Sequence, residues 1–113
     1  MDIKCYLFAQ ETNVSVNTKS FAELRIIHDF ETDYSTYKQF IKQIEKLFEE
    51  SLEPNNVLIT YWLNEEDEIV CFSSTEEMHS IFKLHDVYKK AKKSQEPYFL
   101  RIFIKRCSKY LKI

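Results

Sequence analysis

Across 113 residues there is not one glycine. Glycine lets a backbone turn sharply or approach a bound phosphate closely. The dinucleotide fingerprint, the phosphate-binding loop and the nucleophile elbow are all built on it, so none of them exists in this chain. Several enzyme classes go with them. No nucleophile–base set and no cofactor motif stands in their place. The expectation is a protein that is not an enzyme, with no catalytic residue, no metal and no cofactor. His28, His79 and His85 have no metal-ligand spacing and are expected at the surface or its rim.

The length fits one domain, drawn here as residues 1–106 with a short tail over 107–113. A hydrophobic share of 44% with 15% aromatic residues rules out a disordered chain. A net charge of only -2 argues against nucleic acid as the main partner. No apolar run approaches the length of a membrane span, and "MDIKCYLF" does not read as a signal peptide, so no membrane association is expected. The three cysteines, Cys5, Cys71 and Cys107, are odd in number and lack CxxC spacing. They are read as reduced and cytoplasmic, with Cys5 and Cys71 as small core residues.

Periodicity sets the elements. From Asp2 to Phe8, Ile3, Cys5 and Leu7 alternate with Lys4, Tyr6 and Phe8, which is a strand. The stretch "AQETNVSVNTKS" is polar and turn-rich. "FAELRIIHDF" is a second strand of uncertain phase; if Leu24 and Ile26 point inward, Arg25 points to solvent. Phe40, Ile41, Ile44, Leu47 and Phe48 recur at helical spacing. Asp33 or Ser35 can cap that helix, and Pro54 with Asn55 can stop it. "NVLITYW" and "EIVCF" are strands on either side of an acidic run. Ser74 and Glu77 have capping-box spacing before a second helix that buries Met78, Ile81 and Phe82. This helix is expected to end in "KKAKKSQEP", running past Tyr88 towards Ser94. "YFLRIFIKR" is a last strand. The order β-β-α-β-β-α-β implies an α+β domain, a mixed sheet carrying two helices.

The segment "LNEEDEIVCFSSTEEM" holds six acidic residues in two bursts. As an extended segment it would point Asn64, Glu66 and Glu68 to one side, with Glu65 and Asp67 widening the negative field. Glu76 and Glu77 open the second helix, near a partial positive end that favours their ionised forms. Taken by composition alone, the run is a solvated turn. It is not a calcium loop, because the twelfth position from Asn64 is Thr75 and the central glycine is missing. "YKKAKK" is read as cations at a helix C-terminus rather than as a nucleic-acid or membrane patch.

The element order and "WLNEEDEIVCFSSTEEM" together resemble the Phox–Bem (PB1) interaction domain, most closely that of sequestosome-type selective autophagy receptors. "KCYLF", "ELRI" and "FLRIFIKR" extend the resemblance over about Ile3 to Lys105. It implies a ubiquitin-like β-grasp fold and front-to-back homo- or hetero-oligomerisation, an acidic face on one copy docking on a basic face of the next. By the same resemblance Asn64, Glu66 and Glu68 occupy the alternating acid positions and Glu77 the late one. Lys4 and Arg25 would form the basic face, on the opposite face of the domain. Three departures weaken the pattern. Asn64 replaces the first acid, Ile26 replaces a second arginine, and Asp67 replaces the usual glycine.

The implied role is a cytoplasmic scaffold or autophagy-receptor module whose partners are itself or other Phox–Bem domains. Two other readings remain open. One is a monomeric adaptor domain that pairs with a single kinase or scaffold. The other is a nucleic-acid role for the lysine-rich end of the second helix.

Overall fold

The computed structural model describes residues 1–8, 21–54, 56–92 and 99–108. Five strands and two helices follow the expected order: β1 (Ile3–Phe8), β2 (Phe21–Ile27), α1 (Tyr37–Leu47), β3 (Asn56–Leu63), β4 (Ile69–Phe72), α2 (Thr75–Ala91) and β5 (Leu100–Ser108). The strands form one mixed sheet in the order β2-β1-β5-β3-β4. β1 and β5 run parallel at its centre, and the other neighbours are antiparallel. This is an α+β domain with a β-grasp arrangement. The expected boundary at residue 106 falls inside β5, because Cys107 and Ser108 still pair with Val57 and Asn56. The polar stretch over residues 9–20 lies outside the described residues.

Residues opposite one another in neighbouring strands share a face of the sheet. Ile3, Cys5 and Leu7 of β1 and Leu100, Ile102 and Ile104 of β5 are all buried on one face. The helices cover that face, contributing Phe40 and Ile44 from α1 and Met78, Ile81 and Phe82 from α2. Burial pushes the Cys5 thiol up to about 12, which leaves it an inert core group. The outer face has a smaller apolar cluster around Phe8, Leu63 and Phe103, with Tyr6 stacked on Phe103 at 4.6 Å.

Several local expectations need correcting. Thr36, not Asp33 or Ser35, caps α1: it forms a reciprocal capping box with Gln39, while Ser35 is buried. α1 ends at Leu47 with Phe48 as its C-cap, well before Pro54, because the next turns tighten onto the Phe48 carbonyl. α2 stops at Ala91. Cys71 is exposed, since β4 is an edge strand and Cys71 faces Tyr61 on the outer side. His85 is buried under α2 rather than at the rim, and desolvation there lowers its pKa to about 4. Neither His85 nor any other described group belongs to a cluster of three or more residues able to hold a metal. Among the described residues no helix is long and apolar enough to cross a membrane.

Candidate functional site

The acidic turn between β3 and β4 is not extended. It folds back on itself, with the Asn64 N–H donating to the Glu68 carbonyl at 2.9 Å and the Asp67 N–H donating to the Asn64 carbonyl at 3.1 Å. Such a reversal needs a residue in the left-handed region. With no glycine available it falls to Asp67, at φ 58°, one of the few residue types that tolerate it.

Asn64 organises this turn. Its side-chain oxygen accepts from the Glu66 N–H at 3.0 Å and the Glu68 N–H at 2.8 Å, and its amide nitrogen donates to Glu68 Oε1 at 3.2 Å. A carboxylate here could accept the two backbone bonds but could not donate the third, and it would repel Glu68. Asparagine is therefore more than an acid with its charge removed. Asn64→Ala is expected to cost about 1 kcal/mol of stability, the net worth of one or two ordinary hydrogen bonds. Asn64→Asp should lose a similar amount at low salt and recover part of it at high salt, as its repulsion is screened. Thermal unfolding at two ionic strengths checks both; equal salt responses would refute the role given to the amide.

Around that frame the acids separate. Glu66 and Glu68 come together: a hydrogen bond between their carboxyl groups, and then the Glu68 charge, raise the Glu66 pKa above the ordinary carboxylate value. Glu65 turns the other way, towards the C-terminal end of α2, and lies 3.8 Å from Lys92. Glu77 is engaged in capping α2, accepting from the Ser73 N–H at 3.1 Å and from the Ser74 hydroxyl at 3.0 Å. It is thus one strand away from the turn, and Glu76 beside it is exposed. The carboxylates converging in the turn are Glu66 and Glu68.

The two basic residues also part company. Lys4 pairs with Ile26 and Arg101, on the outer face of the sheet. Arg25 pairs with buried Cys5, on the helix-covered face, and lies 3.6 Å from Glu23. Being on an edge strand, it still reaches water, with a side chain 54% exposed. Leu24 and Ile26 accordingly point to the outer face, not inward. The side chain next to Lys4 on β2 is therefore Ile26, where the resemblance would place a second arginine.

The cation beside Lys4 is Arg101, on β5. Lys4 itself rests over the Phe99 ring, 4.7 Å from its centre, a contact that holds an ammonium without neutralising it. The alternation of Arg101 and Lys105 against Ile102 and Ile104 was the sequence signal for this neighbour. The acidic turn and Lys4 lie in opposite halves of the sheet, not on opposite faces. The turn joins β3 to β4 on one edge, and Lys4 lies towards the β2 edge. Both are at the end of the sheet where β1 and β5 begin.

No protein-family model matches the chain, and no curated protein matches it.

Proposed function

We propose that this chain is a non-enzymatic protein-interaction domain of the Phox–Bem kind, whose acidic turn docks on a basic surface of another domain. The observation that carries this is the Glu66–Glu68 pair. Two carboxylates lie beside each other on a turn framed by hydrogen bonds to Asn64, and no ion pair among the described residues involves either of them. Like charges so placed disfavour the ionised pair, and a partner's lysine or arginine would relieve it. Lys4, with Arg101 beside it, is the matching basic element. It stands in the other half of the sheet, so the two surfaces are distinct, and a contact between them is heterologous and propagates front to back unless it closes a ring. The role proposed with it, on the sequence resemblance alone, is that of a cytoplasmic scaffold such as an autophagy receptor of the sequestosome type.

A second reading is favoured by a different observation. Arg25 and Lys4 lie on two faces of the sheet, and Arg25 is already beside Glu23. The basic side is thinner than the acidic one. A domain so built can serve as a monomeric adaptor that offers its acidic turn to one more basic partner.

Both readings predict association that depends on pH and salt. A cation bound between Glu66 and Glu68 would lower the Glu66 pKa from its raised value in the free domain. Binding is therefore strongest when Glu66 is ionised, and it weakens as pH falls into the upper part of the carboxylate range. Light scattering of the chain alone, and with a basic Phox–Bem domain added, should show this loss, and a further loss on raising salt.

Unfolding has its own pH dependence. The folded-state pKa of His85 is depressed, so the stability it confers is present above its ordinary value and declines as pH falls from there towards about 4. Circular dichroism at each pH separates dissociation from unfolding. Association of the folded chain that ignores both pH and salt contradicts the proposal.

A further inference from the structure

A groove of about 590 Å³ lies between the end of β2, the connection that follows it, and α1. Its size falls in the range of small-molecule sites. Ile27 and Phe30, both buried, supply apolar surface. Its two sides carry opposite charge. Asp29 and Glu31 line it from the connection, and Lys42 lines it from α1. None of these three takes part in an ion pair among the described residues. The groove therefore holds anionic and cationic groups that do not neutralise each other.

The anionic side is set in advance. The Glu31 carboxylate accepts from the N–H groups of Asp33 and Tyr34, at 2.7 and 2.9 Å, which hold it in place and leave its charge. Asp29 sits in the left-handed region at φ 54°, and its N–H donates to the Asp2 carboxylate at 2.9 Å. An independent observation points to a ligand. Ser35 also lines the groove and is only 5% exposed, and its hydroxyl has no hydrogen-bond partner among the described residues. A buried polar group without a partner is uncommon and calls for an explanation. A polar ligand supplies the missing partner.

We propose that this groove binds a small zwitterion, an apolar amino acid or a dipeptide of such residues. Its ammonium group meets Asp29 and Glu31, its carboxylate meets Lys42, and its apolar side chain rests on Ile27 and Phe30. The Ser35 hydroxyl bonds to one of the charged groups. A ligand of one sign fits less well, because an anion faces two carboxylates and a cation faces the lysine. The site is independent of the acidic turn, which lies in the other half of the sheet.

Leucine and leucyl-leucine are the probes, titrated into the ¹⁵N-labelled full chain. One of them should shift the amide signals of Ile27 and Phe30 together with those of Lys42 and Gln43. Which of the two does so fixes the length of the ligand. Acetylating its amine or amidating its carboxylate should each weaken binding by about tenfold or more, the worth of one charged hydrogen bond. Asp29→Asn removes the charge and keeps a residue type that tolerates the left-handed backbone. Lys42→Gln removes the charge on α1. Each should weaken binding by a similar factor. Ser35→Ala removes a buried hydroxyl that bonds to nothing, so the free chain should be at least as stable, and yet it should bind the probe more weakly.

Control variants at Lys4 and Glu66 should bind the probe as the wild type does, so this proposal and the self-association reading fail separately. Three results overturn it. Neither probe shifts these signals at millimolar concentration; the acetylated and amidated forms bind as well as the zwitterion; or the Asp29→Asn, Lys42→Gln and Ser35→Ala variants bind it unchanged.

Discussion

Glu66→Lys combined with Glu68→Lys is expected to abolish association with a basic partner while leaving the fold intact. Close charge pairs at a desolvated interface contribute about 1.5–7 kcal/mol each. Two pairs at the lower limit already make about a hundredfold in the dissociation constant. Reversal also replaces attraction by repulsion, so the loss should exceed that. Stability should hold to within the one exposed hydrogen bond from the Asn64 amide to Glu68 that the reversal removes, because both side chains are exposed and the backbone of the turn is framed by Asn64 and the left-handed Asp67. Lys4→Glu is the complementary variant. If the chain assembles front to back, each variant alone is limited to the monomer, and an equimolar mixture forms dimers and nothing larger. If the chain is an adaptor, the acidic-turn variant loses the partner and Lys4→Glu keeps it. Sedimentation of the three samples, with and without a basic Phox–Bem domain, distinguishes the two. A double reversal at Glu66 and Glu68 that still assembles normally removes both readings.

The elements of this fold were legible because burial leaves a period in the sequence. Ile3, Cys5 and Leu7 alternate as they do because one side of β1 faces α1 and α2. Edge positions carry less information. On β2 the pattern left the phase open, and the pairing turns Leu24 and Ile26 to the outer face and Arg25 to the covered one. The helices do not extend over the whole face of the edge strand, so a charged side chain on the covered face reaches water, and an apolar one on the outer face is only partly shielded. Cys71 on β4 misled in the same way.

The site was legible in outline and not in detail. Acid spacing located the turn, but a polar side chain can point at a partner or at its own backbone, and spacing does not tell which. Asn64 and Glu77 both point to the backbone. Glu66 and Glu68 do meet, though through a tight reversal and not through extended alternation.

Phe40→Ala should be the most damaging single truncation on α1. Phe40 is 1% exposed and meets Phe30 edge-on at 5.4 Å between ring centres, with Phe72 of β4 tilted beside it at 6.3 Å. Phe30 in turn meets Phe82 of α2 edge-on at 5.9 Å. These rings join both helices, the sheet and the connection between β2 and α1. Removing a buried phenyl group costs about 3–5 kcal/mol, a large part of the 5–15 kcal/mol that is typical of a whole domain. A urea midpoint lower by roughly 2 M, with an unchanged slope, is the expected reading.

Phe40→Leu should recover most of that loss, because it refills the volume, but it cannot restore the edge-on contact to Phe30. The backbone of Phe30 is held independently by reciprocal bonds with Met1, at 2.8 and 3.0 Å. Its side chain should therefore loosen in the leucine variant without the connection coming away from the sheet. The leucine variant should therefore unfold close to the wild-type urea midpoint, while a ring-packing signal from Phe30 weakens. If it unfolds as early as Phe40→Ala, the filled volume is not what Phe40 contributes.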